Sequence, residues 1–314
     1  MGQEQPVFSI VVPTYDRPKQ LAACLQALGR LDYACESFEV IVVDDGSKTP
    51  AEAVVASFDD RLQVTLIVQL HSGPATARNA GAMRARGKYL AFTDDDCLPA
   101  PDWLQALTVR FDRAPDHLVG GRIINALPEN PYSTAAQLLI DYMYAHYNSD
   151  RHHANFFASN NLAVTAERFR AIGGFDTSFP LPAGEDREFC DRWLHYGYEM
   201  TYDPEVLVYH AHGLTFRSFW RQQFRYGRGA FDFHRVRAQR KQKGIRLQAP
   251  SFYLNLLRYS FSQGRRGRRL VLAGLLLVSQ GAITMGFLRE KFAREKFALS
   301  QYAADRRNRI QGMR

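Results

Sequence analysis

Three consecutive carboxylates, Asp94-Asp95-Asp96, close an apolar run, Lys88-Tyr89-Leu90-Ala91-Phe92-Thr93. The run has strand character, and Pro99 follows too soon for a helical turn to solvate the acids separately. Adjacent like charges repel, so a cation is expected beside them. Hard divalent ions such as Mg²⁺ and Mn²⁺ prefer oxygen ligands of this kind, and they commonly also hold a phosphate. An acidic turn that merely ends a strand is the plainer reading. The positions of the other acids decide between the two.

Those acids sit on a repeating pattern. Phe8-Ser9-Ile10-Val11-Val12 is a short β-branched run, as expected of a strand buried on both faces, and it stops at Pro13-Thr14-Tyr15-Asp16. A helix follows from about Pro18 to Leu28, with Leu21, Leu25 and Leu28 on one face. A second strand, Phe38 to Val43, stops at Asp44-Asp45-Gly46-Ser47. A short helix near Ala51–Phe58, a third strand over Val64–Leu70 and a helix over Ala75–Arg86 lead to the strand that carries the aspartates. Strands alternating with helices predict a parallel sheet with helical crossovers. Ligands of such sheets lie beyond the carboxyl ends of the strands. Tyr15-Asp16, Asp44-Asp45 and Asp94 to Asp96 all fall at those ends, which predicts one site.

The first strand is not followed by a G-x-G-x-x-G turn, and no P-loop occurs in the chain. Without a glycine cradle, a diphosphate must be neutralised by a metal on the aspartates and by basic side chains. Tyr15 can stack on a base, and Asp45 can accept the imide N–H of uracil.

Together these residues resemble family 2 glycosyltransferases of the GT-A fold. The resemblance rests on Pro13-Thr14-Tyr15, Val43-Asp44-Asp45-Gly46-Ser47, Ala77-Arg78-Asn79-x-Gly81 and Asp94-Asp95-Asp96. Gly173-Gly174-Phe175-Asp176 and Gly184-Glu185-Asp186-x-Glu188-Phe189 extend it, so that it covers roughly residues 6 to 230 in the right order. It implies a Rossmann-like mixed sheet flanked by helices, and transfer of a sugar from a nucleotide diphosphate, usually UDP, with inversion. It also implies a donor site of Pro13, Tyr15, Asp45, Arg78, Asp94 and Asp95. Mn²⁺ or Mg²⁺ would rest on Asp94 and Asp96, with Asp96 in direct contact.

Beyond the donor half, Leu118–Ile124 reads as a strand, Thr134–Tyr147 as a helix and Phe156–Val164 as a strand pair. The pair would turn Asn160 and Asn161 to the cleft, either as sugar ligands or as ordinary turn residues. Glu185-Asp186 opens a helix over Arg187–Tyr196, where a carboxylate is a sound dipole cap. The alternative is a general base for an acceptor hydroxyl, the role the resemblance gives to Asp186. Asn160, Glu185 and Trp193 are assigned to the acceptor. Val206-Leu207-Val208-Tyr209-His210-Ala211-His212 reads as a strand whose two histidines share a face. The resemblance favours His210 as the metal ligand, with His212 in reserve. Gln222-x-x-Arg225-Tyr226 is similar to the Q-x-x-R-W element of processive members, and Arg225 or Arg228 is placed over the diphosphate.

Composition fits a folded enzyme. In 314 residues, 46% are hydrophobic, which excludes a disordered chain. The net charge of +8 gathers in Arg235 to Arg246 and Arg265 to Arg269, clusters that suit phosphates, nucleic acid or an anionic membrane. The nucleic-acid reading leaves the converging aspartates without a purpose. A sugar-1-phosphate nucleotidylyltransferase would need a glycine- and lysine-rich loop where Pro13-Thr14-Tyr15-Asp16-Arg17 stands. Cys24, Cys35, Cys97 and Cys190 show no paired spacing, and the chain enters a strand almost at once. Free thiols in a reducing compartment and no secretory leader are expected. The apolar run Leu270 to Leu288 has basic residues on both sides, which predicts a helix lying in or re-entering a membrane interface rather than spanning it. A buried helical hairpin is the other reading.

The expected organisation is a catalytic domain over 1–232, with a nucleotide-binding half over 6–112 and an acceptor half over 113–232. A basic and apolar helical extension occupies 233–314. The expected partners are a nucleotide-sugar donor, a glycan or lipid-linked acceptor and the cytoplasmic face of the cell membrane, without nucleic acid.

Overall fold

A computed structural model describes residues 5–179, 183–241, 248–263 and 267–311. Its first half is the alternation the sequence predicts. Strand β1 (Phe8–Thr14) leads to α1 (Pro18–Leu28), β2 (Phe38–Asp44), α2 (Glu52–Ala56), β3 (Val64–Val68), α3 (Pro74–Arg84) and β4 (Tyr89–Phe92). The apolar runs of β1, β2 and β4 are buried on both faces because helices cover the sheet on each side. Small residues let α3 lie close on the sheet. A Cβ at Gly81 would stand 2.5 Å from Val11 Cγ1. That approach carries Arg78, on the same helix, into the interior, where it is only 4% exposed.

The second half comprises β5 (Cys97–Pro99), α4 (Trp103–Arg113), β6 (Leu118–Asn125), α5 (Pro131–Tyr147), β7 (Leu162–Thr165), α6 (Ala166–Ala171), α7 (Glu185–His195) and β8 (Met200–His210). All eight strands form one sheet in the order β3-β2-β1-β4-β7-β6-β8-β5. The first four are parallel, β7 runs antiparallel to β4 and β6, and β8 is parallel to β6. The short β5 pairs antiparallel with β8, setting Cys97 opposite His210. This pairing brings the aspartate cluster beside the two histidines.

One expected element differs. Of the predicted 156–164 strand pair only Leu162 to Val164 is strand, continuing to Thr165, and Ser159–Asn161 forms a short 3₁₀ turn. The Asn161 amide donates to the carbonyls of Arg122 and Val206, while its oxygen accepts the Trp103 indole N–H at 2.9 Å. A side chain that staples two strands inside the core needs the turn, and Asn161 does not face the cleft.

Three helices complete the described residues: α8 (Phe216–Lys241), α9 (Pro250–Gln263) and α10 (Arg269–Gln311). The expected boundary at 232 lies within α8. Arg237 and Arg240 of α8 pair with Asp191 of α7, and Arg240 also pairs with Glu188. Two arginines of the first basic cluster are thus bound to acids of α7. Lys243, Arg246, Arg265 and Arg266 lie outside the described residues. The apolar run lies on α10, whose 269–296 stretch is long and apolar enough to cross a membrane, with 33% of its most apolar 18 residues buried. It packs on α8, α5 and α9.

The α8–α10 crossing is a backbone contact. A Cβ at Gly227 would meet the Ile283 carbonyl oxygen at 1.9 Å, and one at Gly286 would meet that of Phe224 at 2.0 Å. Gly286→Val is therefore expected to cost about 1–3 kcal/mol by overpacking. Gly274→Ala on the same helix, where a Cβ meets nothing, is expected to stabilise by up to ~1 kcal/mol. Urea unfolding of the two variants checks the contrast.

Candidate active site

The carboxyl ends of β1, β2 and β4 open into a cleft of about 1300 Å³. That exceeds the ~300–1,000 Å³ of common small-molecule sites, leaving room for two substrates together. Pro13, Tyr15, Asp45, Arg78, Asp94, Asp95, Asp96, Asn160, Glu185, Asp186, His210 and Arg225 all line it. Trp193 does not: its ring is fully buried in the core and its indole N–H donates to the Glu199 carbonyl. Helical spacing puts it on the inner face of α7, and its acceptor assignment is withdrawn.

At one end Tyr15 and Asp45 stand together. The Asp45 carboxylate receives the amides of Ser72 and Gly73 and the Gln69 side chain, and its Oδ2 lies 2.9 Å from His71 Nδ1. These contacts use the roughly four acceptor positions of a carboxylate. The His71 ring stacks on Tyr15 at 4.2 Å between centroids. His71 thus sets an aromatic ring on Tyr15 and a nitrogen at Asp45 at the same time. Sequence reasoning missed His71, although its position just after β3 was a usable signal. Asp44, by contrast, accepts the amides of Ser47 and Ala51 and shapes the turn.

The aspartate cluster is neutralised differently from the expectation. Asp94 accepts from Arg78 Nη2 at 2.7 Å, and Arg78 Nη1 reaches Glu185 Oε1 at 3.3 Å. Asp95 accepts from Thr14 and from Arg17 Nη1. The same Arg17 nitrogen lies 3.0 Å from Asp96 Oδ2. Burial pushes the Asp95 carboxyl up to about 6 despite Arg17. Two arginines therefore supply charge that the sequence argument gave wholly to a metal. Arg17 was in view at the end of the first strand but was not weighed.

Asp96 has two further neighbours. His210 Nε2 lies 3.2 Å from its Oδ1, and His212 Nδ1 lies 2.8 Å from its Oδ2. Burial works to raise the Asp96 carboxyl, but the contacts with His210 and His212 overcome it and hold the group well below the usual carboxylate range. Asp96, His210 and His212 are grouped closely enough to hold one metal ion, whereas Asp94 faces Arg78. His212 is a full member of this group rather than a reserve. Gln222 lies against His212 Nε2 at 3.2 Å, and its Oε1 is buried without a partner among the described residues. If that oxygen turns to Nε2, the imidazole proton sits there and Nδ1 is free as a ligand. The donor set fits a divalent cation.

Glu185 and Asp186 open α7 after Gly184, whose φ of 95° favours glycine. Burial pushes Glu185 up to about 7, with Asp186 adding to the shift and Arg78 opposing it. Burial also raises Asp186, although the Arg187 amide bonds its Oδ1 at 2.8 Å. Glu185 Oε2 and Asn160 Oδ1 are buried without partners among the described residues. Arg221 and Arg225 line the cleft and form no ion pair among the described residues.

Comparison with known proteins follows this geometry. A model described as "Glycosyl transferase family 2" matches residues 9–172. A second, described as "N-terminal domain of galactosyltransferase", matches 141–211. Validoxylamine A glucosyltransferase of Streptomyces hygroscopicus subsp. jinggangensis is 32% identical over 228 residues, covering 64% of this chain and 54% of that protein. The chain thus spans about half the length of this relative. Glycosyltransferase AglE of Haloferax volcanii is 28% identical over 232 residues, covering 73% and 74%. The structure of mannosyltransferase PcManGT from Pyrobaculum calidifontis, in complex with GDP-Man and Mn²⁺, superposes with a TM-score of 0.64 at 19% identity, covering 92% of this chain and 88% of that one. The fold is the GT-A fold, a mixed sheet with flanking helices and a helical C-terminal part. The chain belongs to glycosyltransferase family 2.

The Glu185 shift has a consequence for stability. Its folded pKa of about 7 exceeds the ordinary 4.5, so between these values the folded state keeps a proton that the unfolded state loses. Its contribution therefore falls as pH rises from 4.5 to about 7. Glu185→Gln is expected to remove this part of the slope, read as the difference between wild-type and variant urea unfolding at a series of pH values.

Proposed function

We propose that the chain is an inverting, metal-dependent glycosyltransferase that moves a sugar from a nucleotide diphosphate, UDP first among candidates, to an acceptor hydroxyl. The observation that carries the reading is the single cleft in which Asp45, Asp96 and Asp186 meet. The base lies on Tyr15 and against Asp45, displacing His71. Arg78, Arg225 and, once released from Asp95 and Asp96, Arg17 answer the diphosphate charge. Pro13, Asp94 and Asp95 complete the donor wall.

Asp96, His210 and His212 would hold Mn²⁺ or Mg²⁺, which when bound supplies positive charge for the departing diphosphate. Asp186 takes the proton of the acceptor hydroxyl as its oxygen attacks the anomeric carbon from the face opposite the diphosphate. A carboxylate raised by burial is better matched to that task near neutral pH. Glu185, held through Arg78, positions the helix start, and the free Asn160 oxygen is available to a sugar hydroxyl. The apolar outer face of α10 and the neighbouring basic residues give a peripheral contact with the cytoplasmic membrane face.

Asp186→Asn is expected to keep UDP–Mn²⁺ affinity and to lower transfer by about 10²-fold or more, the scale of lost general-base assistance. Calorimetry and a donor screen across UDP-, GDP- and dTDP-sugars separate the two effects. Normal transfer, or joint loss of binding and stability, removes Asp186 from this role. With the same titration, Asp96→Ala is expected to abolish Mn²⁺-dependent nucleotide binding, and His210→Ala and His212→Ala each to raise the Mn²⁺ requirement. Unchanged affinity in the Asp96 variant would sink the metal assignment.

A further inference from the structure

The cleft does not end at Asp186. It continues between α5, α9 and α10, where Ile140, Met143, Phe252, Ile283, Phe287 and Leu288 line it. Met143, Phe252 and Ile283 pack on one buried cluster of these helices, so the apolar wall is a built surface. The polar and apolar halves meet at Arg187, next to Asp186. Its guanidinium lies over the rings of Tyr147, Phe156 and Phe233, at 4.8 Å from the last.

The far half also has a mouth. Tyr253 and Leu288 line the cleft and are 41% and 43% exposed. Outside it, α10 presents Leu270, Leu277, Met285 and Phe292 to the surface. At roughly 3.6 residues per turn these share one face with Leu288. An apolar path therefore leads from the outer face of the helix that could enter a membrane, through the mouth, to the carboxylate at Asp186.

Resting on the glycosyltransferase reading above, we propose that the acceptor is lipid-linked: its head lies at Asp186, and its apolar chain occupies this far half and enters from the α10 surface. A free sugar or oligosaccharide gains little from such walls, whereas aliphatic groups gain about 25 cal/mol for each Å² removed from water. Gln280 and Lys291 also stand on these walls, and an amphipathic occupant uses both kinds of contact.

The test uses the full chain with UDP and Mn²⁺ and two probe series below their micellar concentrations. One is hexyl, octyl and decyl β-D-glucopyranoside; the other is geranyl, farnesyl and geranylgeranyl monophosphate. In calorimetry, affinity in at least one series is expected to rise by up to about fourfold per added methylene or its equivalent. Met143→Glu, inside the cleft, is expected to flatten that rise at unchanged UDP affinity, and Leu277→Glu, on the outer face, to keep it. Should Met143→Glu fail to fold, Met143→Ala is expected to weaken the longest probe about three- to tenfold. Flat affinity in both series, or a rise that neither Met143 variant reduces, overturns the proposal while leaving the donor reading intact. Absence of UDP binding by the wild-type chain overturns the donor reading and takes this inference with it.

Discussion

Negative charge concentrated in one partly buried cleft is the constraint on which this structure turns. Asp94, Asp95, Asp96, Glu185 and Asp186 share it, and like charges in a low-dielectric setting cannot all persist unanswered. Arg78 spans Asp94 and Glu185, Arg17 spans Asp95 and Asp96, and the two histidines flank Asp96. The balance is incomplete, since Asp95, Glu185 and Asp186 retain raised proton affinity. Because each arginine touches carboxylates from different parts of the chain, neutralisation also fixes relative positions. Arg78 in particular joins the end of β4 to the start of α7.

The sheet serves this arrangement. Parallel strands set the ends of β1, β2 and β4 level, as the pairing of Thr14 with Asp44 illustrates. The antiparallel turn into β7, and the return of β8 beside β5, then bring His210 across from Cys97, next to Asp96. Two antiparallel steps, β4 to β7 and β7 to β6, leave β6 and β8 running the same way as β4, so the carboxyl ends of β4 and β8 face the same opening. The membership in glycosyltransferase family 2 and the GT-A fold agree with this mixed topology.

Much of this was legible from residue order. Apolar strands ending in acids are a local signal, and β1, β2 and β4 obeyed it. What the sequence hid were pairings between distant side chains of ordinary appearance. Arg17 stood without an assigned role after the first strand, yet its charge is spent on Asp95 and Asp96. Asn161 had the look of a cleft residue, and its amide is used up on backbone carbonyls within the sheet. Trp193 shared a helix with the candidate base, but the periodicity of α7 sends it inward. Periodicity gives a side chain's face reliably only when the face that meets the core is known, and that knowledge is tertiary. The wall that α9 and α10 give the cleft was hidden for the same reason.

The glycine contact between α8 and α10 fixes more than distance. With Gly227 against the Ile283 carbonyl and Gly286 against that of Phe224, each helix fits the other at one axial and rotational setting. Adding or removing one residue in α10 ahead of Gly286 would turn everything upstream by about 100° around the helix axis. Leu270 and Leu277 would leave the outer stripe, and different side chains would be offered to α5 and α9.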